Sequence, residues 1–463
     1  MKPKVGLLLL YLKLYDDTMP EVRSAFTKML NAITAQFIKK DLDVVRVNVC
    51  RVRDEYAEAV AHFESEGVDL IVSVHLAYSP SLESAEILAR TQLPLLMLDT
   101  TVDARFTQSA DPIRLMYNHG IHGVQDLASV LRRMGKRYEI VAGHYEDARI
   151  YERAASYARG ALAAKHFRNT KALRIGDTFP GMGDFAVEDA VLQNVFGIHV
   201  DQQGTGPLAD YVAQVREEDI QREYETDCAV YEITAPVEAH RRSIRVGLGL
   251  RQLLDDGGYS AFSMNFLAFN SAEPPLDTVP FMEASKAMSR GIGYAGEGDV
   301  LTAALVGALQ RAFSNTTFTE IFCPDWKAGS LFISHMGEVN PQIAANKPRL
   351  CEKDFPWTPA KNPAIIVCAP KPGNGTLVSL APGPGDSFGL VVHTVRIEPD
   401  YPSSFQDSVR GWITPGGSVE SFLEHYSLEG ATHHCALLLG EKMVELSAFA
   451  DISGMGHNVI RCR

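Results

Sequence analysis

Apolar positions along the chain fall into two habits, short continuous runs and stripes at helical spacing, and the two alternate. Residues 5–11 form an unbroken apolar run, as a strand buried on both faces requires. From Thr18-Met-Pro20 a stripe of Phe26, Met29, Leu30, Ile33 and Phe37 predicts an amphipathic helix, with Pro20 suited to its first turn. The alternation continues through strands at 43–49, 70–74, 95–98 and 138–142, with helices at 53–66, 81–90 and 124–134 between them. A helix at 146–166 and a strand at 173–175 open a second alternating region, in which a helix at 236–254 precedes a strand at 261–266. Between them, residues 204–235 read as polar and irregular, with Arg216-Glu-Glu-Asp219 as a solvated helix face.

Residues 341–418 are richer in Pro and Gly, with short apolar runs at 364–368, 376–380 and 390–397. Turns at Lys371-Pro-Gly-Asn-Gly375 and Pro382-Gly-Pro-Gly385 separate them, the pattern of an antiparallel sheet or small barrel. The expected fold is therefore α/β: two doubly wound α/β domains, 1–143 and 144–300, followed by a β-rich, barrel-like domain, 301–463. Ligands of such sheets gather beyond the carboxyl ends of the strands. Polar and aromatic groups stand there at Tyr11-Leu-Lys13, His75-Leu-Ala-Tyr78 and Asp99-Thr-Thr101, and Gly176-Asp-Thr-Phe-Pro-Gly-Met-Gly183 is a glycine-broken loop placed to face a ligand.

Composition narrows the function. The 463 residues are 46% hydrophobic and 22% charged, the balance of a globular protein with a large core. A formal net charge of −13 argues against a nucleic-acid or anionic-membrane partner. The apolar run after Met1-Lys-Pro-Lys4 is too short for a signal core or a membrane span, so a cytoplasmic protein is expected. The seven cysteines are scattered without a C-x-x-C pair, as free thiols of a reducing compartment are. Cys323 and Cys435 are read as packing residues.

The chemistry concentrates late in the chain. Gly291-Ile-Gly-Tyr-Ala-Gly-Glu-Gly-Asp299 carries two carboxylates among glycines at the mouth of a helix. Its letters match the dinucleotide fingerprint, but the preceding residues 280–290 have helical spacing where that motif needs a strand, so no nucleotide cofactor is expected. Thr316-Thr-Phe-Thr-Glu320, Ile333-Ser-His335 and Ala431-Thr-His-His434 follow. Taken singly, each is ordinary: a surface glutamate, a core histidine. Together, Glu297, Glu320, His335 and His434 offer hard oxygen and borderline nitrogen donors without thiolate, a set suited to Mn²⁺, Mg²⁺ or Co²⁺.

Gly293-Tyr-Ala-Gly-Glu-Gly-Asp-Val-Leu-Thr-Ala-Ala-Leu305 resembles the hallmark segment of the L-arabinose isomerase family, within the L-fucose isomerase superfamily. Asn118-His-Gly-Ile-His122-Gly, Gly143-His-Tyr-Glu-Asp147, Ser334-His-Met-Gly-Glu-Val-Asn-Pro341 and Gly430-Ala-Thr-His-His434 resemble further family segments, in family order. The resemblance implies metal ligands at Glu297, Glu320, His335 and His434, with Glu297 and Glu320 also the acid/base pair. His122 and Asp299 resemble positions that bind substrate or support the site, and Asp299 equally suits a helix N-cap.

The implied activity is a divalent-metal-dependent interconversion of a free aldose, of pentose or 6-deoxyhexose type, with its 2-ketose. The implied assembly is a homotrimer or homohexamer in which a neighbour's N-terminal domain closes each site. The chain departs from the family at Leu10-Tyr-Leu-Lys-Leu-Tyr-Asp16, which lacks the Gln and His of the family's sugar-contacting segment, and past Asn340. A sister branch with its own sugar is the reading. The rival readings are a metal-dependent epimerase on the same scaffold and a non-catalytic sugar-binding protein.

Overall fold

The computed structural model describes residues 1–402 and 404–459, in two compact units, Met1–Leu162 and the chain from Ala163 onward. In the first unit β1 (Lys4–Leu10), β2 (Asp43–Arg46), β3 (Leu70–His75), β4 (Leu95–Asp99) and β5 (Glu139–Ala142) form one parallel sheet in the order β2-β1-β3-β4-β5. β3 is buried along its whole length and β1 nearly so, which is why both read as unbroken apolar runs. Gly6 is the one gap in β1, and a Cβ there would sit 2.7 Å from the Phe63 ring. The stripe after Pro20 is a 3₁₀ segment, Pro20–Phe26, that passes into the α-helix Thr27–Lys39, with Met29, Leu30, Ile33 and Phe37 buried.

The second unit begins with another parallel sheet, of β6 (Lys171–Ile175), β7 (His199–Gln203), β9 (Ala261–Met264) and β10 (Gly293–Gly296), ordered β10-β9-β6-β7. The glycine segment expected as a helix mouth is thus itself the strand β10, and the helix Val300–Phe313 follows it at once. A short strand β8 (Glu232–Ile233) joins β13 (Arg349–Glu352) and β14 (Ala364–Val367) in a small separate sheet.

The C-terminal strands are β11 (Thr316–Asp325), β12 (Ser330–Ser334), β15 (Gly373–Pro382), β16 (Phe388–Ile397), β17 (Gly411–Pro415) and β18 (His434–Leu439). They run antiparallel in the order β15-β18-β11-β12-β17-β16, and pairing of β15 with β16 closes them into a six-stranded barrel. Leu331, Ile333, Leu377, Val391, Ile413 and Leu437 pack in its core. β19 (Gly456–Val459) pairs parallel to β16. The fold class is as the hydrophobic pattern predicts.

Residues 204–235 depart from expectation, because they carry two helices, Gly206–Ala213 and Glu217–Val230. The second helix turns polar groups inward, where they meet opposite charge. Asp227, 1% exposed, accepts from Lys286 Nζ at 2.5 Å and lies 2.9 Å from His240 Nε2. Glu223 accepts from Lys286 Nζ and Arg251. Inward-facing ion pairs erase the apolar stripe by which a helix is read. Cys50, Cys228, Cys323, Cys351, Cys368 and Cys435 are free. Cys435 is buried, but Cys323 is exposed rather than packed, and Cys462 lies outside the described residues. Among the described residues, no helix is long and apolar enough to cross a membrane.

Lys286 is the cation that both Glu223 and Asp227 share, so Lys286→Met leaves Asp227, 1% exposed, with no basic partner but His240, and Glu223 with Arg251 alone. It is expected to cost about 3–5 kcal/mol of stability in urea unfolding, where an ordinary surface lysine costs well under 1 kcal/mol.

Candidate metal centre

Strand register brings the candidate ligands together. Glu320 on β11 lies directly across from His434 on β18 and from Ser334 on β12, whose next residue is His335. A bulge follows at once, between Ile321 and Cys323, and ends the regular pairing beside the site. Glu297 arrives from the other side, just beyond β10. Its backbone takes φ of 63°, a conformation that costs a non-glycine residue about 1–3 kcal/mol. The position is held by its N–H to the Met264 carbonyl at 2.9 Å and by its own carbonyl, which accepts from the Phe179 N–H at 2.9 Å. The glycines around it give room: a Cβ on Gly296 would meet His335 Cε1 at 2.8 Å, and one on Gly298 the Thr178 backbone at 2.6 Å.

Donor atoms of Glu297, Glu320, His433 and His434 lie within 4.8 Å of one another. His434 Nε2 is 2.8 Å from Glu320 Oε1 and 3.3 Å from Glu297 Oε2, and His335 Nε2 is 3.3 Å from Glu320 Oε1. Phe318 wedges between the two imidazoles, edge-on to both. Each of the two rings is fixed through its other nitrogen. His335 Nδ1 donates to Glu338 Oε2 at 2.7 Å, and His434 Nδ1 to Asp299 Oδ2 at 2.9 Å. Glu338, fully buried, also accepts from Tyr294 Oη at 2.6 Å and from the Gly337 N–H at 2.8 Å. Asp299 serves two ends, since its Oδ1 caps the helix Val300–Phe313 by accepting from Thr302 N–H at 2.8 Å.

The inner atoms, by contrast, are left without hydrogen bonds. Glu297 Oε2, His335 Nε2 and His434 Nε2 are buried and unpartnered despite these short approaches. Buried polar atoms of this kind normally find a partner. Imidazoles anchored through Nδ1 on carboxylates, with Nε2 turned to a shared point among carboxylate oxygens, are what a metal site requires. The residues fit a divalent cation.

Electrostatics agree. Burial pushes the Glu297 carboxyl up, but His433, His434 and His335 outweigh it and hold the group at about 2. Glu320 is lowered further against the same penalty, by His335 and His434. Burial opposes the charged form of His335, yet Glu338 and Glu320 raise it to about 10. His434 is raised well above the ordinary imidazole value, against burial, by Asp299, Glu297 and Glu320. Without a cation the carboxylates are therefore ionised and the imidazoles protonated at neutral pH, and it is the imidazolium protons that a cation has to displace.

Of the residues singled out in the sequence, the structure gathers Glu297, Glu320, His335, His434 and Asp299 here. His122 belongs to the first unit, exposed on the helix Gly120–Arg133. Three residues of the site carried no sequence assignment: His433, Glu338 and Asp184, which accepts from His433 at 2.7 Å. Glu338 was visible in Ser334-His-Met-Gly-Glu338, and His433 beside His434, but only the fold shows what they hold.

Sequence models of the L-arabinose isomerase N-terminal, central and C-terminal domains match residues 9–169, 171–315 and 315–456. The chain belongs to the L-arabinose isomerase family. It is similar to L-arabinose isomerase 2 of Bacillus licheniformis, 28% identical over 87% of this chain and 90% of that one. It is 29% identical to L-arabinose isomerase of Geobacillus stearothermophilus, over 87% and 82% of the two chains. With the enzyme of Oceanobacillus iheyensis it shares 26% identity over 96% of each. Family membership makes it an enzyme, an aldose–ketose isomerase, and its central and C-terminal domain matches meet at residue 315, between the two candidate glutamates.

Glu338→Gln is expected to weaken divalent-metal affinity about 10- to 100-fold in chelator competition, since it removes the charge that orients His335. Because raised imidazole values mean protons must leave before Nε2 can donate, affinity is expected to rise with pH across the neutral range, by about tenfold per unit for each proton displaced. Competition titrations from pH 6 to 9 measure this, and a pH-independent affinity would contradict it.

Proposed function

We propose that the chain converts a free aldose, of pentose or 6-deoxyhexose type, to its 2-ketose through an enediol, with a divalent cation held by Glu297, Glu320, His335 and His434. The observation that carries this reading is the convergence of two carboxylates, Glu297 buried and Glu320 partly so, on two imidazoles whose inner nitrogens have no partner. Moving a carbonyl between C1 and C2 requires a proton to leave one carbon and return to the other. A base in a dry pocket serves this if it stays ionised at neutral pH, and Glu297 and Glu320 do. One takes the carbon-bound proton and returns it to the neighbouring carbon, and the other moves the hydroxyl proton. A bound Mn²⁺, with Mg²⁺ and Co²⁺ as alternatives, would supply charge to stabilise the developing enediolate oxygens.

Asp299 and Glu338 keep the histidines in the required tautomer, and Phe318 and Phe185 exclude water from the ring faces. The names of the relatives make L-arabinose the first sugar to try, and the altered segment at residues 10–16 is the reason to test a panel. A homotrimer or homohexamer in the cytoplasm completes the proposal.

The test is turnover by the metal-stripped protein of aldopentoses and 6-deoxyhexoses, L-arabinose included, with and without Mn²⁺. Metal-dependent ketose formation is expected, with Glu320→Gln lowering kcat by about 10²–10⁴-fold. An epimeric aldose as the sole product would move the reaction to epimerisation.

A further inference from the structure

A charged residue is buried in the middle of β6. Ala172, Leu173 and Ile175 of this strand belong to the core, and Arg174 between them is only 7% exposed. Strand register sets it in a polar row across the parallel sheet, opposite Gln202 on β7 and Ser263 on β9. A guanidinium taken out of water needs acceptors. Arg174 finds them on two sides. Its Nη1 and Nη2 donate to Asp189 Oδ2 and Oδ1 at 3.0 and 2.8 Å, a bidentate pair with the first residue of the helix Asp189–Phe196. Nη1 also donates to Gln202 Oε1 at 3.3 Å, and Nε donates to the Gly298 carbonyl at 3.1 Å.

Gly298 stands between Glu297 and Asp299. Glu297 and Gly298 take φ of 63° and 86° in succession, and the strained Glu297 persists only where its surroundings fix it. Main-chain bonds to Met264 and Phe179 fix Glu297 itself. The carbonyls on either side of it are fixed by the polar row. Ser263 Oγ lies 2.7 Å from the Ala295 carbonyl and 3.0 Å from that of Gly296, while Arg174 holds that of Gly298. The next residue, Asp299, divides its carboxylate between the helix cap and His434. One guanidinium therefore grips the peptide that joins the turn of an inner carboxylate to an outer one.

From this geometry we propose that Arg174 is the positioning residue of the ligand turn. Through the Gly298 carbonyl it sets where Glu297 and Asp299 stand, and through them the affinity of the centre for a divalent cation. The inference rests on the reading of Glu297 as a metal ligand. A guanidinium is flat, so one anchored by both Nη atoms on Asp189 presents Nε in a fixed direction, toward Gly298. A lysine ammonium keeps the charge but has a single nitrogen to divide between the two partners. The turn thus draws its rigidity from β6 and the helix Asp189–Phe196 as well as from bonds within itself. Arg174 lies 124 residues before the carbonyl it holds, and it acts on the centre through the backbone alone.

The test uses full-length protein, with Arg174→Lys and Asp189→Asn beside Arg251→Lys, which alters a second guanidinium, one bound to Glu223 and Glu283. Mn²⁺ affinity is read by chelator competition, and amide exchange of residues 297–300 by mass spectrometry on metal-free protein. Arg174→Lys is expected to bind Mn²⁺ about tenfold more weakly than the parent and to exchange faster at 297–300. Asp189→Asn is expected to shift both readings the same way by less, and Arg251→Lys to leave both at the parent's values. Arg174→Lys with the parent's Mn²⁺ affinity overturns the proposal. So does an equal loss in Arg251→Lys, the mark of general destabilisation. If Arg174→Lys does not fold, Asp189→Asn decides, and its equality with the parent in both readings overturns the proposal. A parent that binds no Mn²⁺ overturns the metal reading instead, and unchanged exchange at 297–300 in Arg174→Lys then overturns the clamp on its own.

Discussion

Two carboxylates, Glu297 buried and Glu320 partly so, converge at the meeting of β10, β11 and β18, and the rest of the centre is built to make that tolerable. Like charges so close in a region of low dielectric cannot both remain ionised without opposite charge nearby. Here the compensation comes from imidazoles, and the imidazoles are in turn held by an outer set of carboxylates, Glu338 and Asp299. Charge alternates outward from the centre: carboxylate, imidazole, carboxylate, and then the Tyr294 hydroxyl or a helix N-terminus. The proposed isomerisation would use the same alternation with a cation in place of the imidazolium protons.

Local backbone chemistry serves this arrangement. Glu297 accepts a left-handed conformation, and its neighbours are glycines because His335 and the Thr178 backbone occupy the space where side chains would be. The antiparallel barrel sets Glu320 and His434 in register, so that no long side chain has to search for its partner.

Much of this was legible in the sequence, and the limits have physical causes. The buried strands β1 and β3 read directly, because a strand covered on both faces has no polar side to interrupt its apolar run. The barrel showed itself through turn chemistry at Lys371-Pro-Gly-Asn-Gly375 and Pro382-Gly-Pro-Gly385. The helix Glu217–Val230 did not, because its inward face carries Glu223 and Asp227, and their partners, Arg251 and Lys286, lie tens of residues away. The inner donors came from motifs, and Glu338 lies within one, three residues from the His335 it holds, whereas its bond from Tyr294 spans 44 residues and the bond of Asp184 with His433 spans 249. Spacing within a motif carries no trace of such pairs.

The most direct measurement is anomalous diffraction from crystals of this protein grown with Mn²⁺, at the manganese edge. The account predicts one strong peak bonded to carboxylate oxygens of Glu297 and Glu320 and to Nε2 of His335 and His434. Its bond lengths should lie between about 2.1 and 2.3 Å, between those of Mg²⁺ and Ca²⁺, with the His433 imidazole outside bonding distance. A peak bonded to His433, or no peak among these four residues, would contradict it.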